Sequence, residues 1–407
     1  MLVLKLAIRN LLRNTRRTIL TIMLIGFSLT SLIFAEALTL GMLDILVNSV
    51  TKNLVGEAQV HQRGFRENLD VDLYMSNTDE VLGTLARDPA VAASSERVIA
   101  GGMVSSSYNV GTSLIYGVNA PNEAQVTQLA AAITSGEYLS GSSGEILLGN
   151  ELADLLEVNL GDRIVMTLSE ANSGELAQAL FRVSGIFHFG ISAVDEGAVF
   201  INIEQARQIL TLEANQSHEI AIKFHEPDTA KLKQAGVFTQ LNNEKLETLS
   251  WLELNPAIAS IIEISGLSSF IVGSILFVLA GLGVINSMFM SIYERIYEFG
   301  VAKAIGTTPA RIAGLIFTEA LLIALVSCLA GGLLGYVLGS YAEVHGVPMG
   351  EFEVSGIAID NRVLLRLEAY QFIQYPIYVI ALTLVAAIYP ARFAAKIIPT
   401  EALQRSL

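Results

Sequence analysis

Long runs of apolar residues, separated by polar and charged stretches, divide this 407-residue chain unevenly. One run covers 18–41, and three more crowd the last third at 266–293, 312–342 and 369–391. A helix needs about 20 apolar residues to cross a bilayer, and every run is longer than that. The second and fourth contain no charged side chain. The pattern predicts a membrane protein with four transmembrane α-helices spaced 1+3. A 224-residue α+β domain, 42–265, is inserted between the first and second spans.

The flanking segments keep helical spacing. In 1–17, Leu4, Ile8, Leu11 and Leu12 share one side of a helix and Arg9, Arg13, Arg16 and Arg17 favour the other, as in an amphipathic helix on a membrane face. Leu43, Leu46, Val47, Val50 and Leu54 extend the first span outward, and 256–265, starting at Pro256, leads back into the second. These two helical stalks carry the inserted domain, with Trp251 placed as an interfacial aromatic. Within the domain, period-2 patterning predicts strands at 57–61, 113–118, 145–148, 163–168, 180–187, 198–201 and 219–224. Helices are predicted at 150–156, 203–212 and 228–241, and exposed loops at 101–112 and 170–174.

Charge orients this architecture. The chain is only 16% charged and has a net charge of −14. Residues 42–265 hold 12 basic against 29 acidic residues, a balance of −17, whereas the remainder holds 13 against 10. Lys5, Arg9, Arg13, Arg16 and Arg17 precede the first span with no acid among them. Arg295, Lys303 and Arg311 lie in 294–311, and Arg392, Lys396 and Arg405 in the tail 392–407. Basic flanks stay in the cytoplasm. Both termini and 294–311 are therefore expected inside a bacterial inner membrane, and 42–265 and the loop 343–368 outside it. Ala35-Glu36-Ala37 resembles a signal-peptidase site, but the apolar run before it is too long for a signal peptide. An uncleaved anchor is expected.

Most chemical motifs are missing. The nearest approach to a phosphate-binding loop, Gly136-x4-Gly141-Ser142-Ser143, lacks the lysine that reaches the outer phosphates. The five histidines (61, 188, 218, 225 and 345) are scattered and suggest no metal site. Cys328 is the lone cysteine, so no intramolecular disulfide can form. Nucleic-acid binding is opposed by the charge of the inserted domain. No catalytic residue, cofactor or metal is expected.

Three membrane features remain. Gly331, Gly335 and Gly339, with Gly332 beside them, line the third span four residues apart, a spacing that lets helices approach closely within one chain or between two. Glu319 in the third span and Glu36 near the outer end of the first are intramembrane acids that must face protein or water. A structural hydrogen bond explains each more simply than a proton relay. The third feature is 294–306, E-R-I-Y-E-F-G-V-A-K-A-I-G, a short charged helix and glycine turn joining two spans. Its candidate coupling residues are Glu294, Arg295, Glu298, Phe299, Gly300, Val301, Lys303, Ala304, Ile305 and Gly306. A stiff helix between two spans transmits a push to both.

These segments together resemble the permease subunits of the MacB/FtsX/LolC-LolE class of ABC transporters. The resemblance covers the whole chain. It is carried by A-I-R-N-L-L-R-N-T-R-R-T at 7–18, the 294–306 motif, T-E-A-L-L at 318–322, Y-P-A-R at 389–392, I-P-T-E-A-L at 398–403 and E-I-L-L-G-N-E-L-A-D-L-L-E-V-N-L-G-D-R-I at 145–164. It implies a permease without nucleotide-binding motifs of its own. ATP would be bound by a separate cytoplasmic ABC ATPase gripping 294–306, and a second permease, the same or different, would complete the membrane complex. Hydrolysis would move the periplasmic domain without a channel through the spans, a mechanism called mechanotransmission. Membrane lipid and a periplasmic cargo acceptor or adaptor are further implied partners. Length and the single outer domain fit lipoprotein release of the LolC/LolE type, whereas the 294–306 pattern is similar to MacB-like exporters of peptides, toxins or antibiotics. A membrane-anchored sensor or scaffold is the reading of a different class. An ion-coupled carrier would need Glu319 and repeated halves, and the chain has no repeated halves.

Overall fold

The computed structural model describes residues 2–350, 352–359 and 361–404. Arg405 of the basic tail lies outside the described residues. The chain forms two compact units. A helical unit takes 1–43, 262–349 and 362–407, and a sheet unit takes 44–261 and 350–361.

Among the described residues, four helices are long and apolar enough to cross a membrane. They are Thr15–Val50, continued by a π-helical turn Thr51–Val55, then Pro256–Glu294, Pro309–His345 and Gln371–Lys396. A spanning helix satisfies its own backbone where no water can, which is why these apolar runs are helical throughout. Buried residues recur every three to four positions: Ile25, Leu29 and Ile33 in the first, Val284, Met288 and Ile292 in the second, Ile312, Ile316, Ala320 and Ile323 in the third. Val379, Ala386 and Ala387 of the fourth complete the same core. Pro309 occupies the first turn of the third helix, where a missing N–H costs nothing. Short helices Leu2–Arg13, Ile296–Ala304 and Pro399–Gln404 lie at the ends of the spanning helices.

The sheet unit is built on one ten-stranded sheet. Its strands are β1 (Ala58–Gln62), β2 (Val91–Ser105), β3 (Val110–Val118), β4 (Ile133–Gly136), β5 (Glu145–Gly149), β6 (Arg163–Ser169), β7 (Leu176–Phe187), β8 (Ala198–Asn202), β9 (Glu219–Phe224) and β10 (Leu246–Ser250). The path runs β10-β1-β9-β2-β3-β8-β5-β7-β4, and β6 bridges β2 and β7. The pairs β2–β3–β8–β5–β7–β6–β2 therefore close a ring of six strands. Val104, Ile115, Ile146, Leu148, Ile164, Met166, Phe181, Val183, Val199 and Ile201 from those strands form a single buried cluster. The alternation of β6, with Ile164, Met166 and Leu168 buried, is the pattern of a strand with one face on a core.

Three expectations need correction, and three strands are unexpected. The stretch 101–112 is not a loop but the end of β2, a tight turn and the start of β3, paired from Arg97↔Val118 to Ser105↔Val110. Trp251 is not interfacial: it is buried in the sheet unit, where Ser250 and Glu253 form a capping box around the helix it starts. The single helix expected at 228–241 is two short ones, Asp228–Leu232 and Val237–Gln240. The whole of β2 and the edge strands β4 and β10 carry no clean alternation in the sequence.

A buried ion cluster lies on the β2–β9 pair. Arg97 has no solvent exposure; its Nη2 donates to Glu123 Oε1 at 2.7 Å and its Nη1 to Glu219 Oε1 at 2.8 Å. Burial alone would pull the Arg97 guanidinium down, and the two carboxylates more than reverse this. The neighbouring Tyr116 hydroxyl is pushed up to about 12, first by burial and then by Glu219. Two histidines lie close by. His218 accepts from the Ile99 N–H at Nδ1 and donates to the Val71 carbonyl at Nε2, and His61 lies 3.2 Å from Glu247.

Burial pushes both imidazoles below their ordinary value. Glu219 and Glu247 oppose this at His61 while Arg66 adds to it, and the Val71 carbonyl with Glu219, Asp70 and Asp72 opposes it at His218. With the folded value lower than the unfolded one of about 6.5, protonation favours unfolding. The stability these rings contribute is full above pH about 6.5 and is lost as the pH falls below it. Thermal unfolding followed by fluorescence of Trp251, the single tryptophan, should show a midpoint that drops between pH 7 and about 5. A midpoint unchanged over that range would refute the assignment of both rings as neutral.

Candidate coupling site

Residues 294–306 form the joint between the second and third spanning helices. Pro256–Glu294 ends at Glu294, Arg295 breaks the helix with φ −119° and ψ 17°, and Ile296–Ala304 follows. Ile305 caps it, and Gly306 takes φ +102°, a conformation a side chain would resist.

This helix is held by charge from the N-terminal segment. Arg13 Nη1 donates to Glu298 Oε1 at 2.6 Å, and Arg17 Nη1 and Asn14 Nδ2 donate to Glu294 Oε2 at 2.7 and 2.8 Å. Arg295 is the centre of the arrangement. Its Nε reaches Glu298 at 3.1 Å, its Nη1 reaches Glu319 at 2.9 Å, and its guanidinium lies 5.1 Å from the centroid of the Phe299 ring. Asn10 Nδ2 donates to the same Glu319 oxygen at 2.6 Å. Partial burial tends to raise the Glu298 carboxyl, but the hydrogen bonds and charges of Arg13 and Arg295 outweigh it and hold it below its usual value.

The rest of the segment divides between anchoring and exposure. Phe299 and Gly300 are buried, and a side chain at Gly300 would meet the Ala402 methyl at 2.7 Å. Lys303 Nζ donates to the carbonyls of Ala395 and Ile397 at 2.9 and 2.8 Å, tying the helix to the end of the fourth span. Val301 is half-buried, Ala304 and Gly306 are exposed, and Ile305 is 82% exposed.

Glu319 is thus an ion-paired acid tied to the helix Ile296–Ala304, not an isolated group in the span. Glu36 is separate from this site: Tyr370 donates to its Oε1 at 3.2 Å, and its Oε2 is buried without a partner among the described residues. The glycines also lie elsewhere. An added Cβ at Gly331 would meet the Gly26 carbonyl at 2.4 Å, at Gly335 the Ile33 side chain at 3.3 Å, and at Gly339 Leu367 at 2.8 Å. The Gly331 carbonyl accepts from Thr30 at 2.8 Å. Gly331 and Gly335 thus bring the third span against the first within this chain, and only Gly332 faces open space. Sequence reasoning missed Asn10 and Asn14, and read Arg13 and Arg17 only as topology and amphipathicity. The available signal is the acidic Glu294/Glu298 pair matched by an N-terminal segment with no acid of its own.

Two family descriptions match this chain: a MacB-like periplasmic core domain over 18–236 and an FtsX-like permease C-terminal region over 270–399. The lipoprotein-releasing system transmembrane protein LolC of Xylella fastidiosa (strain Temecula1) is 24% identical over 308 residues, 72% of each chain. LolC of Neisseria meningitidis serogroup B is 22% identical over 409 residues, covering 95% of this chain and 94% of its own. The crystal structure of the periplasmic region of MacB from Actinobacillus actinomycetemcomitans aligns with 54% of this chain and 98% of its own, at 14% identity and a TM-score of 0.35.

Proposed function

Because this chain belongs to the family of FtsX-like permeases with a MacB-like periplasmic core domain, we propose that its coupling helix is worked from the cytoplasm by a separate ABC ATPase. The basic flanks set 294–306 and both termini inside the cell and the sheet unit outside it. The ATPase takes hold of the exposed Ile305 end, and the push enters the second and third spans together. The sheet unit then moves on the far side, which is mechanotransmission. A second permease subunit completes the complex. Cargo follows the relatives that match most of the chain, so lipoprotein release of the LolC/LolE type is the activity proposed, with MacB-like export as the runner-up.

The observation that carries this reading is the fastening of Ile296–Ala304 at several points. Glu298 is tied to the N-terminal helix, Arg295 to the third span and Lys303 to the fourth, while Ile305 stays free. A helix so fixed cannot yield without moving its neighbours. Ile305→Asp is expected to weaken ATPase association by at least about tenfold, the scale of one apolar interface anchor. Insertion and the shielding of Cys328 from thiol reagents should be unchanged. The measurement is co-purification of the full chain from membranes, followed by ATP hydrolysis in proteoliposomes. Full association and coupled hydrolysis in the variant would remove Ile305 from the interface, and a wild-type chain that never carries an ATPase would favour a sensor or scaffold.

A further inference from the structure

We propose that the helix Leu2–Arg13 reads anionic phospholipid at the inner leaflet and that this seating sets the position of the coupling helix. The proposal rests on the reading of 294–306 given above and adds a regulator to it.

The helix presents three different sectors. Ala7 is buried and Asn10 and Leu11 half-buried, so that side faces protein. Leu4, Ile8 and Leu12, four residues apart, form an exposed apolar ridge. Next around the helix come Lys5 and Arg9, both exposed, with Arg16 exposed just beyond the break at Asn14. Beyond these cations Arg13 reaches Glu298. An apolar ridge beside a cationic one is the form of a helix lying in the membrane interface. The first span begins at Thr15, which holds the ridge at that depth.

The cations separate by partner. Arg13 and Arg17 each have a carboxylate. Among the described residues Lys5, Arg9 and Arg16 have none, and on their helix Lys5 and Arg9 lie on the side away from buried Ala7. Three free cations, Lys5 and Arg9 along one edge of the helix and Arg16 just past its end, complement a row of phosphates carrying net negative charge. Each contributes about a fivefold gain in association with an anionic surface. A zwitterionic surface offers the apolar ridge its anchorage but leaves that edge unmatched. Once the helix is seated, Asn10, Arg13 and Asn14 are fixed, and with them Glu319, Glu298 and Glu294.

Hydrogen–deuterium exchange of the full chain in nanodiscs tests this without any ATPase. Discs of phosphatidylcholine alone are compared with discs that also contain phosphatidylglycerol. Amides of 2–13 are expected to exchange at least about tenfold more slowly with the anionic lipid, and those of 296–304 to slow in parallel. The combined Lys5→Gln, Arg9→Gln, Arg16→Gln variant should lose both effects, while the charge-retaining Lys5→Arg, Arg9→Lys, Arg16→Lys variant keeps them. Shielding of Cys328 reports that each variant is folded. Equal exchange in the two lipids, or a lipid effect that survives the glutamine variant, overturns the recognition. Slower exchange at 2–13 without any change at 296–304 overturns the link to coupling. Neither result depends on whether an ATPase docks at Ile305.

Discussion

Arg295→Ala is expected to destabilise the helical unit by on the order of 3 kcal/mol, since removing one partner of a buried pair leaves the other charge uncompensated. Arg295 and Glu319 expose only 8% and 7% of their side chains, at 2.9 Å. The Arg13–Glu298 pair is 53% and 46% exposed, and such pairs contribute at most about 1 kcal/mol, so the buried pair dominates. The loss also removes the guanidinium from over the Phe299 ring and leaves Asn10 as the remaining donor to Glu319. Arg295→Lys should recover little, because a lysine offers a point charge where a planar fork serves Glu298 and Glu319 at once. Arg295→Met with Glu319→Gln should recover most of it. The single cysteine, Cys328, is buried in this unit, so its labelling by a fluorogenic maleimide on heating reports when the helices open. Arg295→Ala should label at a clearly lower temperature. An unchanged labelling midpoint would mean that Arg295 is not what holds the joint.

The spanning helices are legible in the sequence because a bilayer demands length and apolarity from each segment independently of the others. The segment 294–306 is legible for a similar local reason: Pro309, Gly306 and a burst of charge punctuate two apolar runs. What the sequence hides is long-range. Arg13 and Glu298 lie 285 residues apart, and nothing local to either says which of several arginines meets which acid. The same holds for β2. Gly101, Gly102 and the serines after them read as a loop, yet Gly102 lies where β2 passes between β3 and β6. A Cβ there would come within 2.5 Å of the Ile115 methyl and 2.8 Å of the Thr167 carbonyl. The glycine serves ring closure, a property of three strands and not of one. Trp251 misleads in the same way, since an aromatic before a stalk fits an interface as well as a core until its neighbours are known.

Arg97→Ala is expected to lower the stability of the sheet unit by roughly 3–5 kcal/mol, the cost of stranding a buried charge. Two carboxylates depend on this one guanidinium, and both are almost fully buried. Glu123 keeps a hydrogen bond from the Thr127 hydroxyl at 2.9 Å, and Glu219 keeps only Arg66 at 3.6 Å. Glu219 is therefore the group left most exposed to the penalty, and adding Glu219→Gln to Arg97→Ala should return part of the loss. Replacing the triad together, with Arg97→Met, Glu123→Gln and Glu219→Gln, should come closer to the wild type than Arg97→Ala does, because no net charge is then stranded. Trp251 reports each midpoint in the full chain, and Cys328 labelling serves as a control in the other unit. Arg97→Ala with a wild-type midpoint would show that the buried charges cost the fold little. The triad would then fix the register of β2 against β9 without stabilising the fold.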